Sequence, residues 1–182
     1  MKAEISTRIG QTLPRLFWGC EMENLPKELR QTLDGLPADR GLYIFGPVGC
    51  GKSYTLAAIA KQRIQCDVWP VQLLNWERFL SRLRAGYDDE PGTTDRMLLR
   101  AEKAAVLLID DLSICGRESD FSLRTLYSIL DYRVENCLPT FFAANKSPDE
   151  IGKAFDVRIA SRIIGHCEVI HLSGRDRRTA GK

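Results

Sequence analysis

The sequence has no run of about 18 apolar residues, the length that a helix needs to cross a bilayer. Its N-terminal stretch (MKAEISTRIGQTLPRLFW) lacks the continuous apolar core of a secretory signal. Positive and negative side chains nearly balance, leaving a net charge of +2, so bulk electrostatics do not indicate a nucleic-acid partner. We therefore expect a cytoplasmic protein that does not associate with membranes.

Paired cysteines are also absent. The six cysteines are scattered, and none forms the C-x-x-C pair of zinc and redox motifs. We expect reduced and mostly buried thiols. His166, Cys167 and His171 lie close together in the sequence, but alternate residues of a strand face opposite sides, which favours a structural role over a metal site.

What the sequence does contain is a regular alternation of short apolar segments and longer amphipathic ones. The predicted strands are Leu42–Phe45, Val68–Leu73, Ala105–Ile109, Thr140–Asn145 and Glu168–Leu172, and helices are predicted between them. One of these helices should begin at the capping box Ser147–Glu150 (SPDE). Strands that alternate with helices predict one α/β domain, a parallel sheet with helices on both faces.

Proline positions refine this fold. Pro70 cannot donate to a sheet ladder, so the second strand should lie at an edge, in agreement with a five-stranded order of 5-1-4-3-2. Pro14, Pro26 and Pro37 interrupt residues 1–40, where only one short helix, around Pro26–Leu33, is predicted. That segment is too short and too mixed to form an independent core.

The segment Gly46–Ser53 (GPVGCGKS) has the G-x-x-x-x-G-K-S spacing of a P-loop and stands between a predicted strand and a helix. Its glycines let backbone N–H groups approach phosphate oxygens, and the helix adds its positive N-terminus. Lys52 should contact the β- and γ-phosphates of ATP, and the Ser53 hydroxyl should ligate Mg²⁺. An ordinary glycine turn is the alternative. The predicted nucleotide contacts are Gly46, Pro47, Val48, Gly49, Cys50, Gly51, Lys52, Ser53 and Tyr54.

Polar residues follow two later strands at the same predicted edge of the sheet. Asp110 ends a buried strand and should hold Mg²⁺ directly or through water, and Asp111 is a candidate to polarise the attacking water. Asn145 ends the fourth strand, where its neutral amide could orient water against the γ-phosphate. For the aspartates the alternative is a turn or a helix cap, and for Asn145 the start of a turn.

Four further segments, VLLIDDLS, LYSILDYRVENCLPTFFAAN, FDVRIASRI and VIHLSGRDRR, follow in this order. Together they resemble the AAA+ ATPases of the DnaC-type helicase-loader and IstB-type transposition-helper clade. The resemblance covers roughly residues 8–178. It implies that Gly46–Ser53 is Walker A, that Asp110 and Asp111 form Walker B, and that Asn145 is sensor 1.

The resemblance also implies roles for two arginines. Arg162 matches the arginine finger that reaches the ATP of a neighbouring subunit, where a fixed charge stabilises the γ-phosphate. Arg158 is its local rival, and a surface ion pair is the alternative role for Arg162. Arg178 matches a terminal family arginine near the nucleotide or the subunit interface, with a solvated tail as the alternative.

Contact with single-stranded DNA is implied for the segment after Walker B, where Arg117, Ser119 and Phe121 match the family positions. An aromatic ring there could stack on a base and an arginine could meet phosphate. Phe121 could equally be the first core residue of its helix. Arginines of the helix predicted after the second strand could also follow a DNA backbone, although such residues are often only solvated: Arg78, Arg82 and Arg84.

The chain also departs from the family pattern. Residues 1–40 are too few for the separate helicase-gripping domain of loaders, but could dock on a partner; residues 41–178 match the AAA+ core and 179–182 a tail. The helical lid is expected to be missing or vestigial, so a neighbouring subunit should complete the site. Asp111, one methylene shorter than the usual glutamate, makes slow hydrolysis plausible.

These observations predict an ATP- and Mg²⁺-dependent ATPase that acts as a loader or helper in DNA replication or transposition. The expected partners are single-stranded DNA, a replicative helicase or a transposase, and further copies of the chain in a nucleotide-dependent homo-oligomer. Two alternatives remain at this point. One is a small-molecule P-loop kinase, and the other is a regulatory switch that works by ATP occupancy with little turnover.

Overall fold

The structure is a computed structural model that describes residues 2–86, 92–112, 120–154 and 157–174. The helices are α1 (Lys2–Thr12), α2 (Lys27–Asp34), α3 (Lys52–Gln65), α4 (Trp76–Ala85), α5 (Thr93–Lys103), α6 (Asp120–Glu135), α7 (Pro148–Ala154) and α8 (Val157–His166). The strands are β1 (Gly41–Phe45), β2 (Val71–Asn75), β3 (Val106–Leu112), β4 (Thr140–Ala144) and β5 (Cys167–His171). Two 3-10 helices, Arg15–Phe17 and Met22–Asn24, connect α1 to α2.

The five strands form one parallel sheet in the order β2-β3-β4-β1-β5. This is the predicted order read from its other end, so the predicted fold is confirmed. Strand β2 lies at the edge, as Pro70 indicated, but it begins at Val71 rather than at Val68. Pro70 has no N–H to donate, and its carbonyl accepts from Val106 N at 3.3 Å. The regular hydrogen-bond ladder between β2 and β3 therefore starts after Pro70.

Helices cover both faces of the sheet, and each face has its own buried apolar cluster. One cluster lies beneath α3 and includes Leu56, Ile59 and Ile64 of that helix. The other lies beneath α4, α6 and α8 and includes Trp76 and Ile129. Buried residues on both sides of β1, β3 and β4 explain why these strands are apolar throughout.

The N-terminal segment contributes to the first of these clusters. Its buried members are Leu13, Cys20, Leu25, Leu29 and Leu33. An ion pair of 2.7 Å between Arg8 and Asp67 joins α1 to the chain just after α3. The described residues before β1 therefore bury their apolar side chains in the same cluster as α3 and the sheet.

Helix α7 begins at the capping box that the sequence predicts. The backbone N–H of Glu150 donates to the Ser147 hydroxyl at 3.3 Å, and the Ser147 N–H donates to the Glu150 carboxylate at 2.9 Å. This reciprocal pair is the predicted capping box. Because the box lies just after β4, it directs the chain away from the sheet edge where β4 ends.

The His–Cys cluster at β5 makes contacts within the fold. The His166 ring nitrogen Nε2 lies 3.1 Å from the Leu138 carbonyl oxygen, and Cys167 Sγ donates to the Thr140 carbonyl at 3.4 Å. Both contacts tie the end of α8 and the start of β5 to the chain entering β4.

Candidate nucleotide site

A cavity of about 720 Å³ opens at the carboxyl ends of the central strands. This is the edge of an open parallel sheet where ligands usually bind. Its lining combines the loop after β1, the ends of three other strands and a piece of the N-terminal segment. The residues are Leu16, Phe17, Val48, Gly49, Gly51, Lys52, Ser53, Tyr54, Asn75, Asp110, Asp111 and Asn145.

The loop between β1 and α3 has a backbone that only glycine can adopt without strain. Gly49 and Gly51 have φ angles of +79° and +106°, in the left-handed region. A Cβ on Gly46 would lie 2.2 Å from the Leu172 carbonyl oxygen, so a larger residue cannot fit there. Gly51 precedes α3 and has no side chain to cap it, which leaves the first N–H groups of the helix open toward the cavity.

Lys52 directs its ammonium group back over this loop. Its Nζ donates to the carbonyl oxygens of Gly46 at 2.8 Å and Pro47 at 2.7 Å. These bonds keep the cation at the loop that would surround the phosphates. A bound phosphate would offer the same donors a charged acceptor in place of neutral carbonyls.

Ser53 and Asp110, the two predicted Mg²⁺ ligands, are in direct contact. The Ser53 hydroxyl donates to Asp110 Oδ1 at 2.9 Å, and the Asp111 N–H donates to the same oxygen at 3.0 Å. Burial raises the pKa of Asp110, and the hydrogen bond from Ser53 opposes that rise. A half-buried carboxylate beside a hydroxyl is an all-oxygen donor set that fits Mg²⁺, whose charge would favour the ionised form of Asp110.

Asp111 lies in an irregular part of β3. Its φ is +57°, and the register between β3 and β4 shifts between Ile109 and Leu112. The bulge allows pairing to resume at Leu112, so β3 extends three residues beyond the predicted end at Ile109. It also leaves Asp111 exposed at the cavity while Asp110 remains half-buried. Unusual backbone of this kind is frequent at functional sites.

Asn145 follows β4 and is exposed at the same cavity, at the position predicted for it. Asn75, at the end of β2, is a lining residue that was not among the predicted site residues. It pairs in register with Asp110, and its side chain accepts from Arg78 N at 3.1 Å, capping α4. A polar residue ending the strand next to β3 was the signal that could have identified it.

The N-terminal segment supplies an apolar part of the lining that the sequence did not reveal. Leu16 and Phe17 belong to a 3-10 helix, and 83% of Leu16 is exposed. Tyr54, the last predicted P-loop contact, accepts hydrogen bonds at 3.2 Å from Glu21 N and from Asn24 Nδ2. The first turn of α3 is therefore linked to the segment that borders the cavity.

Other predicted site residues lie elsewhere. Arg162 is in α8, contacts α6 and does not line the cavity of its own chain. Phe121 is half-buried against the second core cluster, and the guanidinium carbon of Arg84 lies 5.4 Å from its ring centroid. Three of the predicted residues lie outside the described residues: Arg117, Ser119 and Arg178. The chain after residue 174, where a lid would follow, is outside them as well.

The two aspartates allow a graded test of the site. We expect Asp110→Asn to abolish metal-dependent turnover, because it removes the charge closest to Ser53. Asp111→Asn should still bind ATP but hydrolyse it about 100- to 10,000-fold more slowly, the range of a lost general base. Phosphate release under saturating Mg²⁺ and ATP measures both. Wild-type turnover in both variants would contradict the assignment.

A family of known proteins matches the part of the chain that contains this cavity. The family model described as "ATPase family associated with various cellular activities (AAA)" matches residues 42–166, which include the P-loop, both aspartates and Asn145. The replicative helicase loader DnaI of Bacillus subtilis (strain 168) is 28% identical over 151 residues. The match covers 76% of this chain and 48% of DnaI, so the chain spans about half the length of that curated relative.

Solved structures show the same architecture. A crystal structure of DnaI superposes with a TM-score of 0.73 at 26% identity, covering 91% of this chain and 94% of the other. A crystal structure of the DnaC helicase loader has a TM-score of 0.75 at 19% identity, over 88% and 100% of the two chains, and shows the fold alone. No helix in the described part of the chain is both long and apolar enough to span a membrane. The chain belongs to the AAA family of ATPases and, within it, is homologous to the helicase loader DnaI.

Proposed function

We propose that this protein is an ATP-driven loader that assembles on a replicative helicase at single-stranded DNA. The observation that carries the proposal is the single cavity that unites Lys52, the Ser53–Asp110 pair and Asn145. Homology to DnaI favours the helicase over the transposase as the partner. ATP binding and hydrolysis would control assembly with that partner.

Within the cavity, each residue has a distinct part in binding and hydrolysis. The N–H groups of the loop and of the α3 N-terminus bind the phosphates, with Lys52 adding a charge. Ser53 and Asp110 would hold Mg²⁺, which neutralises charge on the β- and γ-phosphates when bound. Asp111 accepts a proton from the attacking water, and Asn145 orients that water.

Arg162 is the candidate for a cation that a neighbouring subunit supplies to this site. The described lining of the cavity contains one positively charged side chain, Lys52, and Arg162 lies away from it on α8. Arg162 would therefore act on the nucleotide of a neighbouring copy. This arrangement makes hydrolysis a property of the assembly, so turnover should rise more than linearly with protein concentration.

Mixing two inactive variants tests this arrangement. Arg162→Ala should bind ATP almost normally and hydrolyse it about 1,000-fold more slowly, the lower end of arginine-finger effects. Lys52→Ala subunits retain Arg162 but lose the phosphate site. Combined, the two should recover part of the wild-type rate at mixed interfaces, measured as phosphate release against the ratio of the variants.

The control is a mixture of Arg162→Ala with Lys52→Ala,Arg162→Ala, which offers no intact arginine and should stay inactive. Specific activity that is independent of concentration, with no rescue on mixing, would show that each chain works alone. Good ATP binding without turnover at any concentration would instead favour the occupancy switch.

Contact with single-stranded DNA is proposed for the exposed face of α4. Arg78 and Arg82 are exposed one turn apart on that helix, where they could both meet phosphates. Phe121 is half-buried beneath Arg84, so base stacking there would require this arginine to move. The ATPase rate, measured with and without a single-stranded oligonucleotide, tests whether DNA binding affects turnover. We expect the oligonucleotide to stimulate the rate.

The N-terminal segment is proposed as the partner-docking surface. Leu16 and Trp18 are large apolar residues with exposed fractions of 83% and 45%. Because the same segment borders the cavity and contacts Tyr54, the affinity for a partner bound there would depend on which nucleotide the cavity holds.

A further inference from the structure

Arg162 is bound to two side chains of α6. Its Nε donates to Asp131 Oδ1 at 2.9 Å, and its Nη2 donates to the Tyr127 hydroxyl at 2.7 Å. Nη2 also forms a short ion pair with Asp131. The guanidinium carbon lies 4.3 Å from the Tyr127 ring centroid, so the ring stacks on the cation as well. These contacts hold α8 against α6.

The contacts conflict with the proposed action of Arg162. An arginine that stabilises a γ-phosphate must offer it both N–H donors and uncompensated charge. Asp131 takes donors from Nε and Nη2, and its carboxylate neutralises the charge. Only 25% of the Arg162 side chain is exposed. In a single subunit the guanidinium is therefore held against α6.

We propose that Asp131 is a positioning residue that restrains Arg162 against α6 and sets the protein concentration at which subunits assemble. This inference rests on the proposed function, in which Arg162 acts on a neighbouring nucleotide. Assembly would replace one carboxylate partner with a triphosphate of higher charge. Tyr127 would retain its stacking contact during the exchange and limit how far the arginine moves.

The exposure of the pair determines how strong this restraint can be. The Asp131 side chain is 37% exposed, and ion pairs that are open to solvent contribute little. Removing the restraint should therefore shift the assembly equilibrium by about two- to fivefold, the upper end corresponding to about 1 kcal/mol. A restraint of this size raises the protein concentration that assembly requires without preventing assembly.

The test uses Asp131→Asn, which keeps the side-chain shape and removes the charge. Two measurements apply: the rate at which phenylglyoxal modifies Arg162, followed by peptide mass spectrometry, and assembly with a non-hydrolysable ATP analogue, followed by sedimentation. We expect faster modification of Arg162 and half-maximal assembly at about two- to fivefold lower protein concentration. Affinity for the analogue at low protein concentration should be unchanged.

Two further variants test whether the effect depends on the contacts of Arg162. Tyr127→Phe removes one hydrogen bond and keeps the ring, so its shift should lie between those of wild type and Asp131→Asn. It also provides a second test if Asp131→Asn does not fold. Asp39→Asn removes the same charge from an exposed turn before β1 and should change neither measurement.

Unchanged modification and assembly in both α6 variants would overturn the proposal. Weaker assembly in Asp131→Asn would overturn it too, because Asp131 would then present the arginine rather than restrain it. Neither measurement requires hydrolysis. If both shift as expected while the variant mixture shows no rescue of turnover, the restraint on assembly stands, and Arg162 contacts the neighbouring nucleotide without accelerating its hydrolysis.

Discussion

Replacing Lys52 with alanine is expected to weaken ATP binding by about 10- to 100-fold and to remove most turnover, since each hydrogen bond to a charged group contributes about 1.5–3 kcal/mol. The fold should persist, because the hydrogen bonds of Lys52 Nζ, to the carbonyls of Gly46 and Pro47 and to Cys50 Sγ, stay within its own loop. Titration with a fluorescent ATP analogue measures the affinity, and thermal unfolding measures the stability.

A matched control is Lys103→Ala, which removes an exposed lysine at the end of α5, away from the cavity lining. It should leave affinity, turnover and melting temperature near their wild-type values. An unchanged affinity and ATPase rate in folded Lys52→Ala protein would contradict the nucleotide site. A large loss of stability in Lys52→Ala would instead assign this lysine a structural role.

The largest expected effect on stability comes from Arg133, whose side chain is fully buried. Its Nε donates to Thr140 Oγ1 at 2.8 Å and its Nη2 to the Pro139 carbonyl at 2.8 Å. Its Nη1 donates to three carbonyls at the end of α5, those of Ala101 and Glu102 at 3.0 Å and Ala104 at 2.8 Å. One guanidinium thus joins α6, the C-terminus of α5 and the chain entering β4.

This position suits a cation although the described structure provides it no carboxylate partner. Burial lowers the pKa of Arg133 to about 9, which leaves the guanidinium protonated at neutral pH. The last carbonyls of a helix have no partners within the helix and carry partial negative charge. Arg133 satisfies them with donors in a fixed planar geometry that a lysine cannot reproduce.

Arg133→Leu should therefore lower the free energy of unfolding by about 3–5 kcal/mol, because it leaves several buried carbonyls without donors. Arg133→Lys should recover part of that loss, since an ammonium group reaches fewer acceptors. Urea denaturation measures both. Arg124→Leu, on the exposed face of the same helix, is the control and should stay within about 0.5 kcal/mol of wild type. A loss below about 1 kcal/mol in Arg133→Leu would contradict this role.

Features that depend on neighbouring residues in the chain could be predicted from the sequence. The P-loop spacing of Gly46–Ser53 is local, because the glycines, Lys52 and the start of α3 follow one another directly. The Ser147 capping box is local for the same reason. The parallel α/β sheet followed from the alternation of strands and helices, and Pro70 indicated that the second strand lies at an edge.

Features that depend on distant residues were decided only by the tertiary structure. The bulge that extends β3 past Asp111 requires β4 as a partner, and Asn75 reaches the cavity only because β2 pairs with β3. Arg133 appeared in the sequence only as part of a family motif, and its burial depends on α5 lying 29 to 32 residues before it in the chain. Arg162 could be assigned a role from its motif, but its contact with Asp131 arises from the packing of α8 on α6. Spacing along a chain specifies local backbone geometry and periodicity, whereas the partner of a charged side chain is selected by packing between elements that the sequence does not place side by side.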